Sequence, residues 1–209
     1  STTGYPFTLS LVDLGKMDEL ALASNRLANA LQADLPVQRA AIGAAYQASD
    51  KFDSNYDGAI NNQDSFVDLG DFAQQLAGQL PAESAVLSAT QAVQSVLNTA
   101  IVAKEYENGT PWMFQDQQWA WNHYSGLAIY VPLGQDEARR QIFYNASNLS
   151  LAQDTNWDDF LASYWAGNVR SAATSMPVCH QTSDGCTGLA NPLPVQPIRT
   201  IYLPLVVTQ

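Results

Sequence analysis

The sequence predicts an α/β fold that is rich in helices and has few strands, and three observations carry that expectation. Apolar residues recur at helical spacing through several long stretches of the first half. Alternating or continuous apolar runs are short and few, and proline and glycine mark the ends of the periodic stretches. A chain of 209 residues with 46% apolar content is long enough to bury a substantial core, as one large domain or two small ones.

The elements follow in order. "FTLSLVDL", Phe7 to Leu14, alternates well enough for a strand. "GKMDELALASNRLANALQ" then takes helical spacing, with Leu20, Leu27 and Leu31 near one face, and Pro36 punctuates it. "VQRAAIGAAYQASDKF" reads as a second, alanine-rich helix running directly into an acidic loop. Beyond the loop, "SFVDLGDFAQQLAGQL" has helical spacing despite Gly70. The strongest helix signature is "PAESAVLSATQAVQSVLNTAIVAKEYENG", which begins at Pro81, repeats apolar positions 86, 93, 97 and 101, and stops at Gly109.

The composition then changes to the aromatic-rich "PWMFQDQQWAWNHYSGLAIYVP", whose "GLAIYVP" reads as a buried strand ended by Pro132. "GQDEARRQIFYNA" suggests a short helix, and "TNWDDFLASYWAGN" an aromatic helix capped by Thr155. From Ser171 onward Pro, Ser, Thr and Gly dominate until "IRTIYLPLVV" supplies a terminal strand. The expected organisation is a helix-rich region over 1–170 and a Pro- and Cys-containing tail over 171–209.

Charge narrows the function classes. With 9 Lys and Arg against 20 Asp and Glu, the net charge is −11, and nucleic acid is excluded as an expected partner because phosphate binding needs a basic surface. No apolar run approaches the roughly 18 residues of a membrane span. Cys179 and Cys186 bracket a six-residue, turn-forming interval. A disulfide there would indicate export; free thiols, or a metal or nucleophilic role, are the other readings.

The stretch "DSNYDGAINNQD", Asp53 to Asp64, carries the sharpest motif. A hard cation such as calcium takes six to eight oxygens, and a twelve-residue loop supplies them from positions 1, 3, 5, 7, 9 and 12 around a sharp turn at a glycine. Those positions are Asp53, Asn55, Asp57, the Ala59 carbonyl, Asn61 and Asp64, with Gly58 at the turn. The stretch resembles the calcium loop of dockerin modules, which it matches throughout; dockerins carry two such loops, and this chain has one. A solvated turn held by Asx hydrogen bonds is the competing reading.

Enzymatic machinery is not visible. His123 lies in "WAWNHYSG" and reads as a structural imidazole, and His180 adjoins Cys179 with no oxyanion site marked nearby. Asp68 and Asp71 share a helix face at i,i+3, and Asp158 and Asp159 are adjacent; such pairs are usually solvated or capping groups. Trp112, Trp119, Trp121, Trp157 and Trp165 read mostly as core.

Taken together, "FTLSLVDLGKMDELALASNRLANAL", "FVDLGDFAQQL", "YSGLAIYVP" and "NWDDFLASYW" resemble, in order and spacing, the C-terminal half of clostripain-like cysteine peptidases, loosely from Phe7 to Trp165. The resemblance implies the helix-rich C-terminal portion of a caspase-like α/β peptidase fold, its "GLAIYVP" strand joining the peptidase sheet. That family cleaves peptide bonds with a His/Cys dyad lying before the matched segments, so neither His123 nor Cys179 corresponds to it and no catalytic residue is assigned. The implied protein is a non-catalytic, calcium-stabilised portion of a secreted endopeptidase, with calcium holding two helices at a fixed angle. Its partners would be an upstream catalytic portion of the same precursor and, once assembled, a peptide substrate. An opening "STTGYPF" without Met fits a precursor cut into chains. The alternative is a calcium-dependent, dockerin-like binding module of an extracellular protein, and a third is a free-standing carboxylate enzyme.

Overall fold

A computed structural model describes residues 5–111, 113–114, 117–131 and 150–168. Over these the molecule is a mixed α/β domain, helix-rich, with a few short antiparallel strands. Strand β1 (Phe7–Val12) leads through a single 3-10 turn at Leu14–Lys16 into α1 (Met17–Ala33) and α2 (Leu35–Ala48). Short strands β2 (Lys51–Phe52) and β3 (Phe66–Asp68) precede α3 (Leu69–Ala77), α4 (Ala85–Ala100) and β4 (Ile101–Glu107). The series closes with β5 (Ala128–Tyr130), α5 (Ser150–Asp154) and α6 (Trp157–Asn168).

The helices form because their apolar positions share a face and find one another. Leu20, Leu27 and Leu31 are buried as their spacing predicts. Helix α1 packs on α4 and α6, and α3 packs on both α2 and α4. Leu27, Ile42, Phe72, Val93, Trp157 and Phe160 belong to the single core they enclose. Pro36 occupies the first turn of α2, where its missing N–H costs nothing. Thr155 stands one residue before the cap position of α6: the Asn156 carbonyl accepts the Phe160 N–H at 3.0 Å, while Thr155 Oγ1 accepts the Trp157 N–H at 3.3 Å.

Two separate sheets complete the architecture. β1 pairs antiparallel with β4, from Phe7 opposite Glu107 to Val12 opposite Ile101, with an irregularity between Leu11 and Val12. β3 lies between β2 and β5, with Lys51 opposite Val67 and Phe66 opposite Tyr130. The "GLAIYVP" strand therefore pairs with β3 inside this domain.

Four boundaries differ from the sequence reading. The "SDKF" end of the second predicted helix lies beyond α2, which stops at Ala48, and its last two residues form β2; "FVD", Phe66–Asp68, is strand rather than helix. Asp68 ends that strand and caps α3, its carboxylate accepting the Asp71 N–H at 2.9 Å. "IVAKEYE" is β4 instead of the last turns of a long helix, because its β-branched start pairs with β1, and the Asp13 N–H closes α4 on Ala100 O at 2.8 Å. Helix α4 starts later than Pro81: Ser84 Oγ accepts the N–H groups of Val86 and Leu87 at 3.2 and 3.4 Å. The predicted helix over "GQDEARRQIFYNA", the tail strand and both cysteines lie outside the described residues.

Candidate metal centre

Loop Asp53–Asp64 joins Phe52 of β2 to the strand that begins at Phe66, and these two residues are register partners. Strands, not helices, flank the motif, so the expectation of a cation clamping two helices is corrected: the loop closes a β-hairpin. Its anchorage comes from both sides. The Tyr46 hydroxyl on α2 lies 2.7 Å from Asp64 O and 3.0 Å from Asn62 O, and Trp119 Nε1 donates to Gly58 O at 2.7 Å. Lys51 is buried where the loop begins, its ammonium donating to the free carbonyls of Gln47 and Ser49 at the end of α2.

Inside the loop, side-chain oxygens accept backbone N–H groups in sequence. Asp53 Oδ2 accepts from Gly58, Asn55 Oδ1 from Asp57, Asp57 Oδ1 from Ala59, and Asn61 Oδ1 from Gln63. Asp64, fully buried, closes the ring, with Oδ1 accepting the Ser54 N–H and Oδ2 the Asn61 N–H, both at 2.8 Å. These bonds curl positions 1, 3, 5, 9 and 12 into one turn, and Asp64 Oδ1 also accepts the Ser54 hydroxyl at 3.3 Å. Gly58 has φ +86°, and a Cβ there would stand 2.2 Å from Phe114 Cγ. Backbone curvature and the stacked ring both demand glycine.

One atom of the loop is not satisfied from within. Asp53 Oδ1 is buried and has no hydrogen-bond partner. Burial holds the Asp53 carboxyl above its usual range; the Gly58 N–H opposes that shift, and the Asp64 and Asp57 charges add to it. An orphaned acceptor at position 1, among like charges, is the donor environment a hard cation relieves. Asp57 is exposed and its carboxyl is held low, first by the Ala59 N–H and then by the Asn55 amide.

A second group was not legible as a unit in the sequence. Asp50, Asp71 and His123 bring their ligand atoms within 4.8 Å of one another, and among the described residues theirs is the group of three acidic or His side chains that comes this close; Asp53, Asp57 and Asp64 do not. The group could coordinate a divalent metal. Much of its capacity already serves the fold. Asp71 Oδ2 accepts the Asp50 N–H at 2.6 Å and Oδ1 the Gln75 amide at 3.0 Å, while Asp50 Oδ2 accepts the Asn122 and His123 N–H groups, both at 2.6 Å. His123 Nδ1 stands 3.5 Å from Asp71 Oδ1 on the exposed side. Asp71 and His123 were each visible in sequence; Asp50 was not, because its partners arrive from α3 and the 122–123 turn.

Asp68, the other half of the i,i+3 pair, is an anchor rather than an acid. Its Oδ2 accepts the Ser125 N–H at 2.8 Å, and burial raises its carboxyl while the Ser125, Asp71 and Gly126 hydrogen bonds oppose the shift. Trp121 and Trp157 are structural too: the indole N–H of Trp121 donates to Lys51 O at 2.9 Å and that of Trp157 to Tyr130 O at 2.8 Å, while Trp112 lies outside the described residues.

The chain matches no protein-family model, no curated protein and no solved structure. The peptidase, hydrolase and clostripain expectations are therefore corrected: no relative supports them, and β5 completes a sheet with β3 inside this domain. Cys179 and Cys186, on which the disulfide expectation rests, lie outside the described residues. Among the described residues, no helix is long and apolar enough to cross a membrane.

Proposed function

We propose that the chain is a calcium-binding domain of an extracellular protein, a dockerin-like module whose recognition surface is set by one ion in the loop Asp53–Asp64. The observation that carries this reading is Asp53 Oδ1, a buried carboxylate oxygen without a partner at the first ligand position. Asn55, Asp57, the Ala59 carbonyl, Asn61 and Asp64 complete the oxygen set. A bound ion would offset the burial that lifts the Asp53 carboxyl and the smaller repulsion from Asp64 and Asp57. The surface it would hold in place includes Phe114, whose ring lies against Gly58, and Trp119, bonded to the Gly58 carbonyl.

A second reading keeps the same function class and moves the ion to Asp50, Asp71 and His123, on the strength of their mutual approach within 4.8 Å. One nitrogen among the ligands suits a transition metal better than calcium.

Thermal unfolding of the full chain separates the two readings. After EDTA treatment the protein is titrated to millimolar calcium, with magnesium and zinc as controls. The expected result is a calcium-specific rise in midpoint, lost in Asp53→Ala and retained in His123→Ala. A rise retained in Asp53→Ala and lost in His123→Ala moves the site to the second group. No metal-specific rise in the unaltered chain refutes both.

A further inference from the structure

The β1–β4 ribbon presents a largely exposed surface. Its strands pair only with each other among the described residues, and positions 102–107 of β4 are all exposed. Phe7, Leu9 and Leu11 alternate along β1 and so share one face. They are 45, 61 and 60% exposed, an apolar row left in solvent.

The other face is occupied. Thr8 and Ser10 are half-buried and hydrogen-bond the Tyr124 hydroxyl, and the Tyr106 ring meets Tyr124 edge-on at 5.9 Å. Lys104 Nζ donates to Tyr124 O at 2.6 Å. The ribbon is thus held to the domain by its inner side, and the outer side is presented.

Register decides what stands beside the apolar row. Glu107 is opposite Phe7 and Glu105 is opposite Leu9, so two carboxylates run alongside the apolar side chains on the same face. A second copy of this chain would bring those carboxylates toward their own kind, against a net charge of −11 on each molecule. An anionic lipid surface is repelled for the same reason. The complementary occupant has an apolar row flanked by cations.

We propose that the outer face of the β1–β4 ribbon docks a basic amphipathic segment of a partner protein, its apolar side chains on Phe7, Leu9 and Leu11 and its Lys or Arg residues on Glu105 and Glu107. The row from Phe7 to Leu11 spans roughly 13 Å, matched by about nine residues of helix or four of strand. The proposal is independent of the calcium reading, because the ribbon and the loop belong to different sheets.

The test is selection from a random twelve-residue peptide library on the immobilised full chain, followed by fluorescence anisotropy of one enriched peptide. Enriched sequences are expected to combine periodic apolar residues with at least two Lys or Arg. The double variant Leu9→Ser with Leu11→Ser should weaken the selected peptide roughly tenfold or more. Glu105→Lys with Glu107→Lys should weaken it and remove most of the salt dependence. All four side chains are exposed, and matching thermal midpoints verify that the variants fold. Enrichment indifferent to either double variant, enriched peptides lacking cationic residues, or concentration-dependent dimerisation abolished by Leu9→Ser with Leu11→Ser would each overturn the proposal.

Discussion

At the scale of single residues, burial of ionisable oxygen decides the behaviour of the loop. The folded state holds the Asp53 carboxyl above its unfolded value, so folding takes up a proton between those two values. Without calcium, Asp53 therefore favours the folded state most at low pH, and that contribution is lost as pH rises through the folded pKa. A cation acts in the opposite direction, since it needs the ionised form. The calcium-induced rise in midpoint should be full near neutrality and shrink as pH falls through the raised Asp53 pKa, as melts across an acid pH series would show. A rise that persists unchanged to the bottom of the carboxylate range would place the ion elsewhere. Gly58 gives a second residue-scale prediction. Its φ of +86° and the Phe114 ring against it should make Gly58→Ala cost about 1–3 kcal/mol in urea unfolding, with calcium affinity reduced alongside.

At the scale of elements, caps and cross-strand partners override local periodicity. The apolar pattern of α4 was legible at 86, 93 and 97, all now buried, yet the helix begins at Ser84 and ends before Ile101. If Ser84 is the operative cap, Ser84→Ala should cost about 1 kcal/mol by denaturant titration, while Pro81→Ala, outside the helix, should change stability by less than half as much. The reverse order would return the helix start to Pro81. Gly70, a poor helix former by propensity, stands in the first turn of α3 because a Cβ there would lie 2.4 Å from Ser125 Cβ. Helix and turn approach too closely for any side chain, and its N–H donates to Ser125 Oγ at 2.9 Å.

At the scale of the whole molecule, the loop is tied to a shared core. Tyr46 of α2 holds it from one side, and β3 runs on from it into the buried sheet and α3. Calcium should therefore raise the midpoint of one global transition, by about 2.7 kcal/mol of stability at a free concentration one hundred times Kd. Differential scanning calorimetry that resolved a separate calcium-sensitive transition would contradict this coupling. Leu27, fully buried on α1 in that same core, sets the scale for its loss: Leu27→Ala should cost about 2–5 kcal/mol and lower the calcium-free and calcium-loaded midpoints together.

By itself the sequence determined the helix-rich α/β class, the buried faces of α1 and α4, the β5 strand and the spacing of acidic and amide side chains in the loop Asp53–Asp64. Each of these is a local regularity, set by spacing along the chain or by a turn residue at its required place. Tertiary structure alone decided that strands rather than helices flank the loop, that "IVAKEYE" pairs with β1, and that Asp50, Asp71 and His123 meet. It also left Asp53 Oδ1 without a donor. The physical reason is the same in each case: short strands and buried carboxylates take their stability from partners far away in the chain, and no local period records which partners the core will deliver.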